Sequence, residues 1–329
     1  MLEILKKFLK ISFPILIGSA IIYLFYTQLD QEAIDAFKSH MQNANYWWVF
    51  AAIVITMLSH ISRAMRWQMM IKSLNYEIGF SKAFYSLFVN YLVNLGIPRT
   101  GEIARCAVLK QYDDIPFDKS FGSLVNERVI DVIMLGILGL SVAVFQYDIF
   151  LSFIKKYFLP FIEEKGLAEN YKLLIGVCFL LLLVLAFIFW LIKNGKFPLQ
   201  EKFKKLFSGI AEGLTSILNL ENPTLFVFHS IFIWLMYWLM TYVIFFAVDG
   251  GQDVTIMMSL SILFLGTMAF IVVSGGFGAY PVALGIVLAL YGLDPIIGNA
   301  AGWLLWGAQT LMIILIGAFS FFMLSLSKK

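Results

Sequence analysis

Charge is scarce in this chain, and its scarcity excludes most soluble folds. Only 14% of the 329 residues are Asp, Glu, Lys or Arg, against 60% hydrophobic residues, and the mean hydropathy is +0.85. A soluble domain carries about 25% charged and 45–50% apolar residues. Cysteine is limited to Cys106 and Cys178, far apart in apolar stretches, with no metal or redox spacing; buried inert thiols are expected. The three histidines, His40, His60 and His229, are isolated, and none has a second ligand at i+3 or i+4. No metal site is therefore expected. No nucleophile stands at the spacing of a base either, so the chain is not expected to be an enzyme, and no cofactor is called for.

Long apolar runs are what the chain does have. Leu173–Ile192 carries no charge, and Leu225–Val248 has no Asp, Glu, Lys or Arg, with His229 as its one histidine. A helix crossing a hydrocarbon core needs about 20 such residues. Its backbone must satisfy its own hydrogen bonds there, which makes the runs helices. Tyr46, Trp47, Trp48, Trp67 and Trp190 gather near segment ends, as in interfacial belts. Lys6, Lys7 and Lys10 precede an apolar run, Ile11–Tyr26, with no small-x-small cleavage site before Gln28-Leu29-Asp30. An uncleaved first membrane helix is expected there.

The fold class is therefore an all-α polytopic membrane protein, a single membrane domain over 1–329. Six segments are able to span: about 11–27, 46–62, 121–146, 171–192, 224–248 and 297–325. Two further stretches are interrupted. Ala83–Ile97 stops at Pro98-Arg99-Thr100-Gly101-Glu102 and resumes as Ile103–Leu109. Val254–Val273 stops at Ser274-Gly275-Gly276-Phe277-Gly278-Ala279-Tyr280-Pro281 and resumes as Val282–Leu290. A helix, a Gly/Pro-broken tip and a half-length helix make the pattern of a re-entrant or discontinuous hairpin. An ordinary span over 254–273 is the alternative.

With two hairpins and six spans, one side of the membrane collects 18 Lys and Arg and the other 5, with Arg128 inside a span. Both termini are then cytoplasmic. The first hairpin enters from the cytoplasm and the second from outside, so the units of about 46–146 and 224–325 are expected to be inverted copies. Phe203–Leu218, apolar at helical spacing with Lys202, Lys204 and Lys205 around it, is expected to lie on the anionic cytoplasmic leaflet.

Ionisable residues in apolar segments are costly and mark candidate sites. Arg99, Glu102 and Arg105 follow Pro98 at spacing i, i+3, i+6. Arginines beside the free N–H groups of a helix start suit an anion such as phosphate. Glu127, Arg128 and Asp131 form a second cluster in the first turns of a span, with Arg128 and Asp131 at i, i+3, and Asn94 and Asn126 add polar groups at similar depth. A substrate or proton pathway and a purely structural ion-pair network both fit these clusters. Arg63 and Arg66, beside Trp67, stand where a span is expected to leave the membrane, as snorkelling anchors or headgroup ligands. Gly275, Gly276 and Gly278 at the second tip fit either an anion-binding turn or a tight packing turn.

Taken in order, Arg63-Ala64-Met65-Arg66-Trp67, Asn94 with Pro98-Arg99-Thr100-Gly101-Glu102-Ile103-Ala104-Arg105, Glu127-Arg128-Val129-Ile130-Asp131 and Gly275-Gly276-Phe277-Gly278 resemble the lysylphosphatidylglycerol synthase transmembrane-region family. The resemblance covers essentially the whole chain. It implies a helical fold with re-entrant elements and a role in moving anionic or lipid-linked substrates. Ser274, where a proline is frequent, and Pro281, near where an acidic residue is common, depart from the family pattern at the second tip. Larger members add a soluble aminoacyl-transfer domain; the chain ends at Lys329 soon after its last span, so lipid aminoacylation is not expected of it.

The expected function is that of a lipid translocase-like protein of a bacterial cytoplasmic membrane. Its partners would be anionic phospholipids or prenyl-phosphate-linked lipids rather than nucleic acid. A non-transporting accessory or scaffold for an envelope-lipid enzyme is the alternative.

Overall fold

The computed structural model describes residues 30–158 and 219–327, together with Ser19, Tyr23 and Thr27. The expected spans at 11–27 and 171–192, the interfacial stretch at 203–218 and Cys178 lie outside the described residues. Two compact units are present, one formed by Met1–Gln146 with Gly209–Lys329, the other by Tyr147–Ser208. Among the described residues the only regular structure is helical.

In the first unit, α1 (Gln31–Gln42) leads into α2 (Tyr46–Lys72), α3 (Phe80–Gly96), α4 (Gly101–Asp113) and α5 (Phe117–Phe145). The second unit contributes α6 (Tyr147–Phe153), which runs into a π turn over Ile154–Phe158. Back in the first unit come α7 (Pro223–Val243), α8 (Met258–Val272), α9 (Ala279–Leu290) and α10 (Pro295–Leu326). Among the described residues four helices, α2, α5, α7 with its 3-10 extension to Ala247, and α10, are long and apolar enough to cross a membrane.

Local chemistry sets the helix starts. Asn45 accepts from the Trp47 amide, Asn222 from Leu225 ahead of Pro223, and Asp294 from Ile296 ahead of Pro295. A cap oxygen satisfies one orphan N–H, and proline at the first helical position has no N–H to satisfy.

The expected break after 97 is present. Ile97 is extended, Arg99 sits at φ 63°, and α4 begins at Gly101. Asn94 holds the two halves together by accepting from the Gly101 amide at 2.7 Å. A β-carbon on Gly101 would meet the Asn90 carbonyl oxygen at 2.1 Å, so only glycine lets α4 start against α3. The second break places Gly275, Gly276 and Gly278 all at positive φ, a conformation open to glycine at little cost. At about 1.5 Å per residue, α3, α4, α8 and α9 each reach less than the roughly 30 Å of a hydrocarbon core.

Two series of four helices therefore share one order: long, short, break, short, long. Their packing shares it as well. Helix α2 packs on α7, α3 on α10 and α5 on α8, α2 on α10 and α5 on α7. Exchanging the two series leaves these pairings unchanged. Gly139 of α5 faces Phe264 of α8, and Gly317 of α10 faces Phe88 and Leu92 of α3, each glycine standing equally far from its own helix start. Lys72 meets Glu221, Arg66 meets Ser230, Arg63 meets Tyr237 and Thr56 meets Met240, so α2 and α7 run antiparallel.

One boundary needs correction. The sequence puts a span at 46–62 with Arg63 and Arg66 at its exit, whereas α2 continues without interruption to Lys72, and both arginines are buried within it. They are not exposed anchors. The helix runs on because carboxylates from α5 compensate both charges, so it does not have to end where the charge begins.

Candidate functional site

Glu127, on α5, is completely buried and draws in charges from two other helices. Its Oε1 accepts from Arg63 Nη1 of α2 at 2.7 Å, and its Oε2 accepts from Arg105 Nη1 of α4 at 3.0 Å. Arg66 Nη2 stands 3.6 Å from Oε1. One turn further along α5, Asp131 accepts from Arg63 at 3.0 Å on Oδ2 and from Arg66 at 2.9 Å on Oδ1. Helical spacing explains the match: Glu127 and Asp131 at i, i+4 present two carboxylates on one face, and Arg63 and Arg66 at i, i+3 present two guanidinium groups towards it.

Neutral groups add to the arginines' coordination. Arg63 Nη2 donates to the Tyr237 hydroxyl at 3.2 Å, and Arg66 Nη1 donates to the Ser230 hydroxyl at 3.2 Å, both on α7. The Arg105 guanidinium lies 3.9 Å from the ring centroid of Trp67, a stacked cation–π contact in which both side chains are fully buried. Nearby, Ser62 Oγ lies 2.8 Å from His229 Nδ1, and the Tyr91 hydroxyl lies 3.4 Å from His60 Nδ1.

The network reaches the surface at one end. Arg128 Nη2 donates to Glu102 Oε1 at 3.0 Å, and Arg128 Nη1 approaches Asp131 at 3.4 Å. The Arg128 side chain is 46% exposed and Glu102 28%, in contrast to the sealed Arg105–Glu127 pair. Ile103 on α4 and Val129 and Val132 on α5, the helices that carry this outer pair, are exposed.

The two clusters expected from the sequence are thus one. Glu102 and Arg105 part company: Arg105 turns inward to Glu127, and Glu102 pairs outward with Arg128. Arg99 stays apart, exposed at the break with no ion-pair partner among the described residues. Asn94 holds the α3–α4 junction, donating to Asn90 Oδ1 at 3.2 Å as well as accepting from Gly101, and Asn126 is buried on α5. Tyr237 and Ser230 were not singled out from sequence, since a hydroxyl on an apolar helix gives no signal. Trp67 stood in the sequence as a belt aromatic and as part of the Arg63–Trp67 block, not as a partner of Arg105.

The second tip has a different chemistry. Trp306 Nε1 donates to the Gly275 carbonyl at 2.8 Å, and Phe277 packs against Trp303 and Trp306 with ring centroids 6.0 and 5.4 Å away. Where the first break meets arginines and carboxylates, the second meets indoles.

Residues 11–317 match the family described as the lysylphosphatidylglycerol synthase TM region. The UPF0104 membrane protein of Methanocaldococcus jannaschii is 28% identical over 101 residues, and the matched stretch spans 30% of each chain. No solved structure matches the chain.

Proposed function

The chain belongs to the lysylphosphatidylglycerol synthase transmembrane-region family, and from that premise we propose that it is a lipid translocase-like membrane protein handling an anionic headgroup at the α2–α4–α5 arginine–carboxylate network. One observation carries the reading: the network runs from a sealed interior to a charged pair, Arg128–Glu102, that opens among exposed apolar residues. On a membrane-facing flank such a pair is expensive. A lipid headgroup entering sideways, with its chains left in the bilayer, has a use for it. Arg128 meets the headgroup at the opening, Arg99 at the break flanks it, and Arg105 holds the inner end.

The antiparallel α2 and α7, and a packing that survives exchange of the two helix series, support inverted units whose short broken helices enter from opposite sides, as in alternating-access transporters. The reading sets the chain in a bacterial cytoplasmic membrane with both termini cytoplasmic and assigns it no reaction. A second reading, a non-transporting scaffold, is favoured by the pairing of every oxygen of Glu127 and Asp131.

The test is transbilayer movement of fluorescent anionic phospholipids and prenyl-phosphate lipids in vesicles holding the full chain. Movement that falls about tenfold or more in Arg128→Ala, a rise of roughly 1.4 kcal/mol in the barrier, supports the translocase. A folded protein that moves none of these lipids leaves the scaffold.

A further inference from the structure

Hydrogen bonding in the network is one-sided. Each oxygen of Glu127 and Asp131 accepts at least one guanidinium N–H, so no carboxylate oxygen there is unpaired. Five buried donors of the network find no partner among the described residues: Nε of Arg63, Nε of Arg66, Nε and Nη2 of Arg105, and Nε1 of Trp67. The hydroxyl of Ser123, fully buried one turn before Glu127, is unpartnered too. Buried polar groups are nearly always paired, and an unpaired one carries its full desolvation cost. Donors without acceptors call for an occupant that only accepts.

Arg105 concentrates them. Its Nη1 is committed to Glu127, and stacking on Trp67 fixes the plane of its guanidinium. What remains free is Nε with Nη2, the parallel pair of donors that matches two oxygens of one oxyanion. Trp67 contributes a further unpaired N–H from the ring on which Arg105 lies. The charge is one-sided in the same sense. Arg63, Arg66 and Arg105 face Glu127 and Asp131, while Arg128 is balanced by Glu102, so the described residues of this network carry one positive charge in excess.

We infer that Arg105 and Trp67 form a cradle for one singly charged oxyanion, a phosphodiester, held bidentately by Nε and Nη2 of Arg105 and by the indole N–H of Trp67. A phosphodiester brings the one negative charge the site lacks; a phosphate monoester or pyrophosphate brings more. That the phosphodiester belongs to a lipid rests on the lipid-handling reading above; the cradle itself does not.

The experiment follows thermal unfolding of the full chain in non-ionic detergent while probes are titrated. Dihexanoyl phosphatidylglycerol supplies a phosphodiester on a lipid, dimethyl phosphate the same group without one, and dihexanoyl phosphatidic acid a monoester. Arg105→Lys keeps the charge and loses the paired donors; Trp67→Phe keeps a stacking face and loses only the N–H. The expected result is a saturable rise in melting temperature with a phosphodiester. Its midpoint should move about tenfold or more in Arg105→Lys and several-fold in Trp67→Phe, with the unliganded Trp67→Phe protein still folded. If Arg105→Lys fails to fold, Trp67→Phe decides alone.

A rise with dimethyl phosphate supports the cradle with a free anion as a sufficient occupant; a rise with the lipid alone supports it with a headgroup. Unchanged midpoints in Trp67→Phe overturn the cradle, as does the absence of any rise, or phosphatidic acid binding tenfold more tightly than phosphatidylglycerol. Binding that depends on Trp67 in a protein that moves no lipid in vesicles would sink the translocase reading and keep the cradle. Lipid movement with binding indifferent to Trp67 would do the reverse.

Discussion

Replacing Glu127 by Gln removes one charge while keeping shape, and the structure fixes what that charge holds. Three guanidinium groups lie 2.7, 3.0 and 3.6 Å from its oxygens, and the side chain is inaccessible to solvent. At an effective dielectric of about 20, each such pair is worth roughly 4–6 kcal/mol before desolvation. The variant leaves Asp131 alone against Arg63, Arg66 and Arg105, so the buried excess rises from one positive charge to two. Breaking a buried pair from one side costs about 3–5 kcal/mol, because the partner stays behind uncompensated. Glu127→Gln is therefore expected to lose about that much, read as unfolding in a denaturant series in detergent.

The companion measurement is Glu127→Gln with Arg105→Gln, which removes one charge of each sign. It should recover at least about half of the loss, so that, with the cost of Arg105→Gln alone added, a double-mutant cycle reads a coupling of at least about 1.5–2.5 kcal/mol. A single variant within about 1 kcal/mol of the native chain, or a strictly additive double variant, would refute this and mean that the arginines do not depend on this carboxylate for their compensation.

Two further predictions concern the broken tips. Gly101→Ala drives a β-carbon against the Asn90 carbonyl, a backbone atom that cannot step aside, and should cost about 1–3 kcal/mol in the same unfolding assay. Gly96→Ala, with nothing within 4 Å, should be neutral within about 0.5 kcal/mol. Trp306→Phe removes the N–H that the Gly275 carbonyl accepts at 2.8 Å, and hydrogen exchange at Gly276–Ala279 should speed up as the second tip loosens; unchanged exchange would show that the ring packing alone holds it.

Much of the fold was legible because lipid solvation is written residue by residue. The apolar lengths of α5, α7 and α10 gave the spans within a few residues, and Pro98 and Gly275-Gly276 gave both interruptions, since a chain without its own N–H or with free φ cannot continue a helix there. Arg63 and Arg66 were misread for the same reason. A charge in an apolar run is expected at its end, and whether a helix carries it onward depends on what faces it, which lies 64 residues away in Glu127. Arg99 stood beside Glu102 and Arg105 in sequence, yet the left-handed turn at the break sets it outside their network.

The sequence by itself determined that this is a helical membrane protein with two broken helices and a small set of costly charges, because composition and period act locally. Only the tertiary structure decided that those charges form one network, that its unpaired atoms are donors, and that the second tip is aromatic where the first is charged. Pairing depends on which helix faces lie together, and that is set by the antiparallel contact of α2 with α7 and of both with α5.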